Sequence, residues 1–233
     1  MAFGEPERAV AWSYTMLGLA EDPHPNMRSH IVTALTIAGR EQDAIAESVG
    51  LVDAAEATGN PEVLGMALLS VGFAYRHIDP DHARQTMRRG LTVAFESGNR
   101  FIGTHIAANL AQLDLKRGDR AAALDHIGLA IRHLHDSGGV VTLRSPMTNL
   151  AILLAQLGHL EAAATLAGFA VSPLTVASFP QITDTIAQLR ETLGAQRYAE
   201  LAEAGATMPI ADLVAYAYDQ IDAVRARPQP RPQ

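Results

Sequence analysis

Four polar residues, His30, Ser70, Asn109 and Asn149, recur at a nearly constant interval along the chain. An Asn amide carries both a donor and an acceptor, which suits the N–H and C=O groups of an extended peptide. His105, Gln112, Arg144 and Thr148 lie in the same stretches and extend the set of candidate ligand-binding side chains. An alternative assigns Asn109 and Asn149 to backbone groups between neighbouring structural units, with no ligand involved.

Other groupings are less suited to chemistry. His77, Asp79, Asp81 and His82, in HIDPDH, have the composition of a metal site, but Pro80 interrupts them. Asp79 or Asp81 is more simply the N-cap of the helix that follows. His133 and His135 lie two residues apart, a spacing that turns side chains to different faces of a helix. His126 precedes His133 by seven and belongs to a surface or a junction between units. The chain has no Gly-rich phosphate loop, no H-E-x-x-H, no G-x-S-x-G and no pair of carboxylates on an evident cleft. Arg84, Arg88 and Arg89 make a small basic patch that reads as a solvated face or a partner contact. A non-enzymatic protein without a metal or cofactor is the expectation.

The elements that would carry these residues are clearest in residues 109–139. Leu110, Ala111, Leu113 and Leu115 lie before a turn at Gly118-Asp119, and Ala123, Ile127, Ala130, Ile131 and Leu134 follow it. The latter group shares one helical face. Asp119 can accept from a free N–H at the start of the second helix. Gly158, Asp79, Gly39 and Gly4 mark equivalent turns at intervals of 35 to 40 residues. Gly59, Gly98 and Gly138 follow the ends of the second helices. Two helices per unit at a fixed period are the signature of an α-solenoid. In residues 70–97, Arg84 and Arg88 fall where the pattern wants small or apolar residues. A one-residue shift would bring Ala83, Met87 and Leu91 inward instead.

The N-L-A of residues 109–111, the turn Gly118 and the early Ala123 resemble tetratricopeptide (TPR) repeats. That resemblance covers roughly residues 4–170. It implies a right-handed, all-α superhelix with a half repeat at 4–22 and repeats at about 26–58, 62–97, 101–137 and 141–170. First helices line the concave groove in such stacks, which would place His30, Ser70, His105, Asn109, Gln112, Arg144 and Asn149 there. The opening helix has Ala9, Ala11, Trp12, Met16 and Leu19 as its expected inward face. It reads either as the second half of a repeat within a longer protein or as a cap.

The period ends at Ala170. Residues 171–180 hold two prolines and read as a connector. A helix over 182–193 stopped by Gly194, a short helix over 196–203 and a last helix over about 209–223 then complete a C-terminal cap at 171–224. The tail 225–233 is Pro- and Arg-rich and expected to lack regular structure. Leu193-Gly194, Arg197-Tyr198, Ala202–Gly205, Thr207 and Leu213–Ala217 are similar to the segment closing many actinobacterial signal-transduction ATPases that carry LuxR-type or adenylate cyclase domains. The sequence departs from that pattern at Met208-Pro209-Ile210, where a more acidic helix start is usual. The resemblance implies an interaction or effector-sensing module of a bacterial regulator, with the ATPase module of the same longer chain as one candidate partner.

Composition agrees with this reading. The 233 residues are 48% hydrophobic yet only 5% aromatic, a balance that favours closely packed helices over sheets. The absence of cysteine excludes disulfides and thiolate chemistry. A net charge of −7 argues against nucleic-acid binding by this segment. No apolar run reaches the ~20 residues of a membrane span. A cytoplasmic protein that binds a protein or peptide is expected. Self-association through an apolar first helix around Trp12 and Tyr14, as a free-standing scaffold, is the alternative.

Overall fold

The computed structural model describes residues 6–18 and 24–226, and its regular elements there are all α-helices. Gly4, Leu19, the side chains of Ala9 and Met16, and the tail from residue 227 onward lie outside what is described. The chain forms two compact units, Met1–Leu113 and Asp114–Gln233.

The first unit opens with α1 (Pro6–Gly18), which packs on α2 (Pro25–Ile37). Its inward residues are Val10 and, partly, Tyr14, whose hydroxyl donates to Glu47 Oε1 at 3.2 Å. Ala11 and Trp12 face outward, contrary to the expected face, and Trp12 is 61% exposed. Helix α1 carries apolar residues on more than one stripe, and the one carrying Val10 and Tyr14 is used.

After α2 the chain turns through Gly39 and continues as α3 (Glu41–Ser48) and α4 (Leu51–Ala57). These divide what the sequence pattern reads as one helix. Gly50, at φ 69°, makes the break, a conformation that side chains with a Cβ disfavour. Helices α5 (Pro61–Tyr75) and α6 (Pro80–Glu96) then form a hairpin. Ala83 and Met87 are fully buried and Leu91 partly so, which is the shifted register. Side-chain caps fix both starts: Asn60 accepts from Glu62 N–H at 2.9 Å and Asp79 from His82 N–H at 3.0 Å. The unit closes with the N-terminal part of α7 (Arg100–Lys116). Ile102, Ile106 and Leu110 of α7 share a core with Met87 and Ala94 of α6. Burial of each large aliphatic residue contributes about 1.5–3 kcal/mol.

The second unit contains α8 (Arg120–Asp136), α9 (Arg144–Gln156), α10 (Leu160–Ala170), α11 (Pro173–Ser178), α12 (Gln181–Leu193), α13 (Ala195–Thr207) and α14 (Ile210–Ala226). Asp119 caps α8, accepting from Ala122 N–H at 3.1 Å. Two elements differ from the sequence expectation. The Pro-containing connector holds α11, started by a reciprocal Ser172–Thr175 capping box. Helix α13 runs to Thr207, through Gly205, where the pattern ends it near residue 203.

The reason is the crossing of α13 over α10. A Cβ on Gly168 would lie 1.9 Å from the Ala202 carbonyl oxygen, and one on Gly205 would lie 1.8 Å from that of Thr165. Backbone therefore meets backbone on both sides of the crossing. Gly205 serves this contact and does not end the helix. Helix α14 packs on α8 with Leu213, Val214, Ala217 and Ile221 buried, and Tyr218 donates its hydroxyl to Gly128 O at 3.2 Å.

Candidate binding face on α7

In the first unit, Phe101, His105, Asn109 and Gln112 follow one another at helical spacing on α7. Asn99 starts the helix, its Oδ1 accepting from Ile102 N–H at 3.1 Å. The adjacent side of α7, at Ile102, Ile106 and Leu110, is anchored in the core, so the orientation of the first face is fixed. Phe101 is 60% exposed, and its ring meets that of His105 edge-on with centroids 4.6 Å apart. Burial pushes the His105 imidazole below its ordinary pKa and so favours the neutral ring. Asn109, partly buried, donates from Nδ2 to His105 O at 2.8 Å. Gln112 is partly buried.

Phe95, 41% exposed, lies near the end of α6, with its ring edge 4.0 Å from a Cβ built on Gly103. Two exposed phenylalanines thus flank the Ser97–Asn99 turn. Sequence reasoning missed both. Phe101 carried a usable signal, since it precedes His105 by four residues and so shares its helical face.

The remaining candidates are placed differently. His30 is exposed on α2. Ser70 is fully buried at 0% and donates back to Ala67 O at 3.0 Å, so it lines no open surface. In the second unit Asn149 is also 0% exposed, and Thr148 is buried with its hydroxyl on Arg144 O at 2.8 Å. Arg144 is partly buried, lies over the Phe169 ring at 4.7 Å and donates to the Phe169 carbonyl. Thr148 thus ties α9 to itself, and Arg144 ties it to α10. Of the polar column, Ser70 and Asn149 are therefore buried, Asn109 is partly buried on α7 and His30 is exposed on α2. Small polar side chains in an all-helical interior satisfy themselves within one turn, a possibility that spacing alone leaves open.

The HIDPDH residues are also separated. His77 Nε2 lies 3.1 Å from Arg76 Nε, His82 stacks edge-on against Tyr75 at 4.6 Å, and Asp79 caps α6. Among the described residues no group of three or more His, Asp or Glu side chains is placed to hold a metal ion. No described helix is long and apolar enough to cross a membrane.

The chain has the fold class of helical-repeat proteins of the α-solenoid type, all-α and built from successive packed helices. It is similar to the crystal structure of BtubC (BKLC) from P. vanneervenii. The TM-score is 0.60 at 15% sequence identity, and the match covers 99% of this chain and 93% of that one. A likeness at that identity is one of fold. No protein-family model and no curated protein sequence matches the chain.

Proposed function

We propose that the chain is a non-catalytic interaction module, built of TPR-type hairpins with a period of about forty residues, that binds a protein or peptide on the open face of α7. The observation that carries this is the exposed pair Phe95 and Phe101, beside His105 and Asn109, in a chain with only six phenylalanines. Exposed aromatic side chains on a rigid helix are the usual anchors of protein recognition. The His105 edge and the Asn109 amide supply polar contacts next to them. The resemblance of residues 189–219 to bacterial regulators supports a cytoplasmic signalling or transcriptional context, with partner binding as the sensed event.

Affinity for the physiological partner tests the reading. Phe95→Ser with Phe101→Ala should weaken it about thirtyfold, on the scale of an interface hot spot, while the helical spectrum stays unchanged. Equal binding by this variant and the parent chain would remove the α7 face from the account.

A second reading is supported by Trp12, which stands 61% exposed on α1. Here the chain self-associates as a scaffold. Sedimentation would show a concentration-dependent mass abolished by Trp12→Ser, and a constant monomer mass would exclude it.

A further inference from the structure

The open face of α7 borders a second open face, on α5. A Cβ on Gly65 of α5 would lie 3.3 Å from Ile102 Cγ2 of α7, so the two helices run side by side. Met66, Leu69 and Phe73 of α5 pack against the cluster that holds Ile102, Ile106 and Leu110 of α7, yet stay partly exposed. With Arg76 they recur at intervals of three, four and three residues, which places them on one helical face. Ala67, Leu68, Ser70, Val71, Gly72 and Ala74 are buried, so between Met66 and Ala74 this stripe is what α5 leaves open.

The stripe is apolar with a cation at its end. Arg76, the C-cap of α5, keeps helical backbone at φ −55° and ψ −23° and so continues the face. Its guanidinium carbon lies 3.7 Å from the centroid of the Phe73 ring, and Nη1 donates to Phe73 O at 2.9 Å. Nε lies 3.1 Å from His77 Nε2. No carboxylate among the described residues makes an ion pair with Arg76, and Glu41 attracts it only from farther away. Burial outweighs that attraction and brings the guanidinium down to about 10, which leaves it charged at neutral pH. A partly buried cation short of a counter-charge is stabilised by an incoming carboxylate. Stacking on Phe73 occupies the flat face of the guanidinium and leaves its edge for that carboxylate.

The spacing selects the conformation of the occupant. Met66 to Phe73 is seven residues, or about 10.5 Å of helix axis. A second helix presents three residues of one face over the same length. An extended segment needs about 13 Å to place three residues on one side. Met, Phe and Arg are also among the side chains that the cores of protein interfaces gather.

We propose that the seam between α5 and α7 takes an amphipathic helix of a partner protein, with apolar residues on Met66, Leu69 and Phe73 and an Asp or Glu on Arg76. This rests on the reading of α7 as the partner-binding face, because Phe101 and His105 form the other bank of the seam.

Selection of phage-displayed random peptides of about sixteen residues, or four helical turns, against the folded full chain tests this. Enriched peptides should carry apolar residues at three-and-four spacing with an Asp or Glu beside them, and should gain helix on binding. Changing that acid to its amide should weaken binding about ten- to a hundredfold in a fluorescence titration, the scale of a charged hydrogen bond. Arg76→Gln should weaken the acidic peptide by the same factor and leave the amide peptide unaffected. Arg76→Glu should make the selection favour Lys where the parent chain selects the acid. No enriched peptide, binders that stay extended, or equal affinity for the acid and amide peptides would overturn the proposal. Acid-free binders lost on Phe95→Ser with Phe101→Ala would overturn it and keep the α7 face. Arg76-dependent helical binders that tolerate that double change would keep the α5 stripe and remove the α7 face.

Discussion

Gly205 and Gly128 are both mid-helix glycines, and their surroundings predict opposite outcomes on conversion to alanine. At Gly205 a Cβ would sit 1.8 Å from the Thr165 carbonyl oxygen, so α10 and α13 must separate. Gly205→Ala should cost about 2–3 kcal/mol by urea denaturation, as overpacking does. At Gly128 the nearest atom would be Ile221 Cδ1 at 3.8 Å, an ordinary contact. Gly128→Ala should therefore be neutral or stabilise by up to about 1 kcal/mol, because alanine is the better helix former. His105 gives a pH signature. Its folded pKa lies below the ordinary 6.5, so above pH 6.5 it costs nothing. As pH falls from there toward the folded value, the unfolded chain takes up the proton first and stability drops. His105→Gln should flatten that part of the stability–pH profile, and an unchanged slope between pH 7.5 and 5.5 would contradict the assigned burial.

Among the elements, the helix starts are local and correspondingly secure. Asp79→Ala should lower stability by about 1 kcal/mol through loss of the α6 cap, with no dependence on added zinc. A zinc-dependent loss would restore the metal reading of HIDPDH. This kind of feature was legible in the sequence: caps at Asp79 and Asp119, turns at Gly39, Gly118 and Gly158, and the register through Ala83 and Met87 all follow from neighbours within a few residues. What spacing could not show depends on distant residues. The helix expected over 196–203 lengthens to Thr207 once α10 is placed beneath Gly205, and Trp12 resembles a core residue until Val10 and Tyr14 take the inward face. Ser70 and Asn149 share a column with His30 and Asn109 in sequence, but packing buries the first two and leaves Asn109 partly exposed and His30 exposed. Gly50 breaks a helix that its apolar periodicity would continue.

Across the whole molecule, the all-helical fold and the likeness to BtubC give the architecture, and the open side chains give the functional proposal. A mostly aliphatic core needs few aromatic residues, which makes two phenylalanines left outside it informative. The most direct test places a photo-crosslinking amino acid at position 101 in the native host, with position 141, an exposed valine in the second unit, as control. The account predicts adducts to one discrete protein from position 101 and none from position 141. No adduct at position 101, or the same products from both positions, would contradict it.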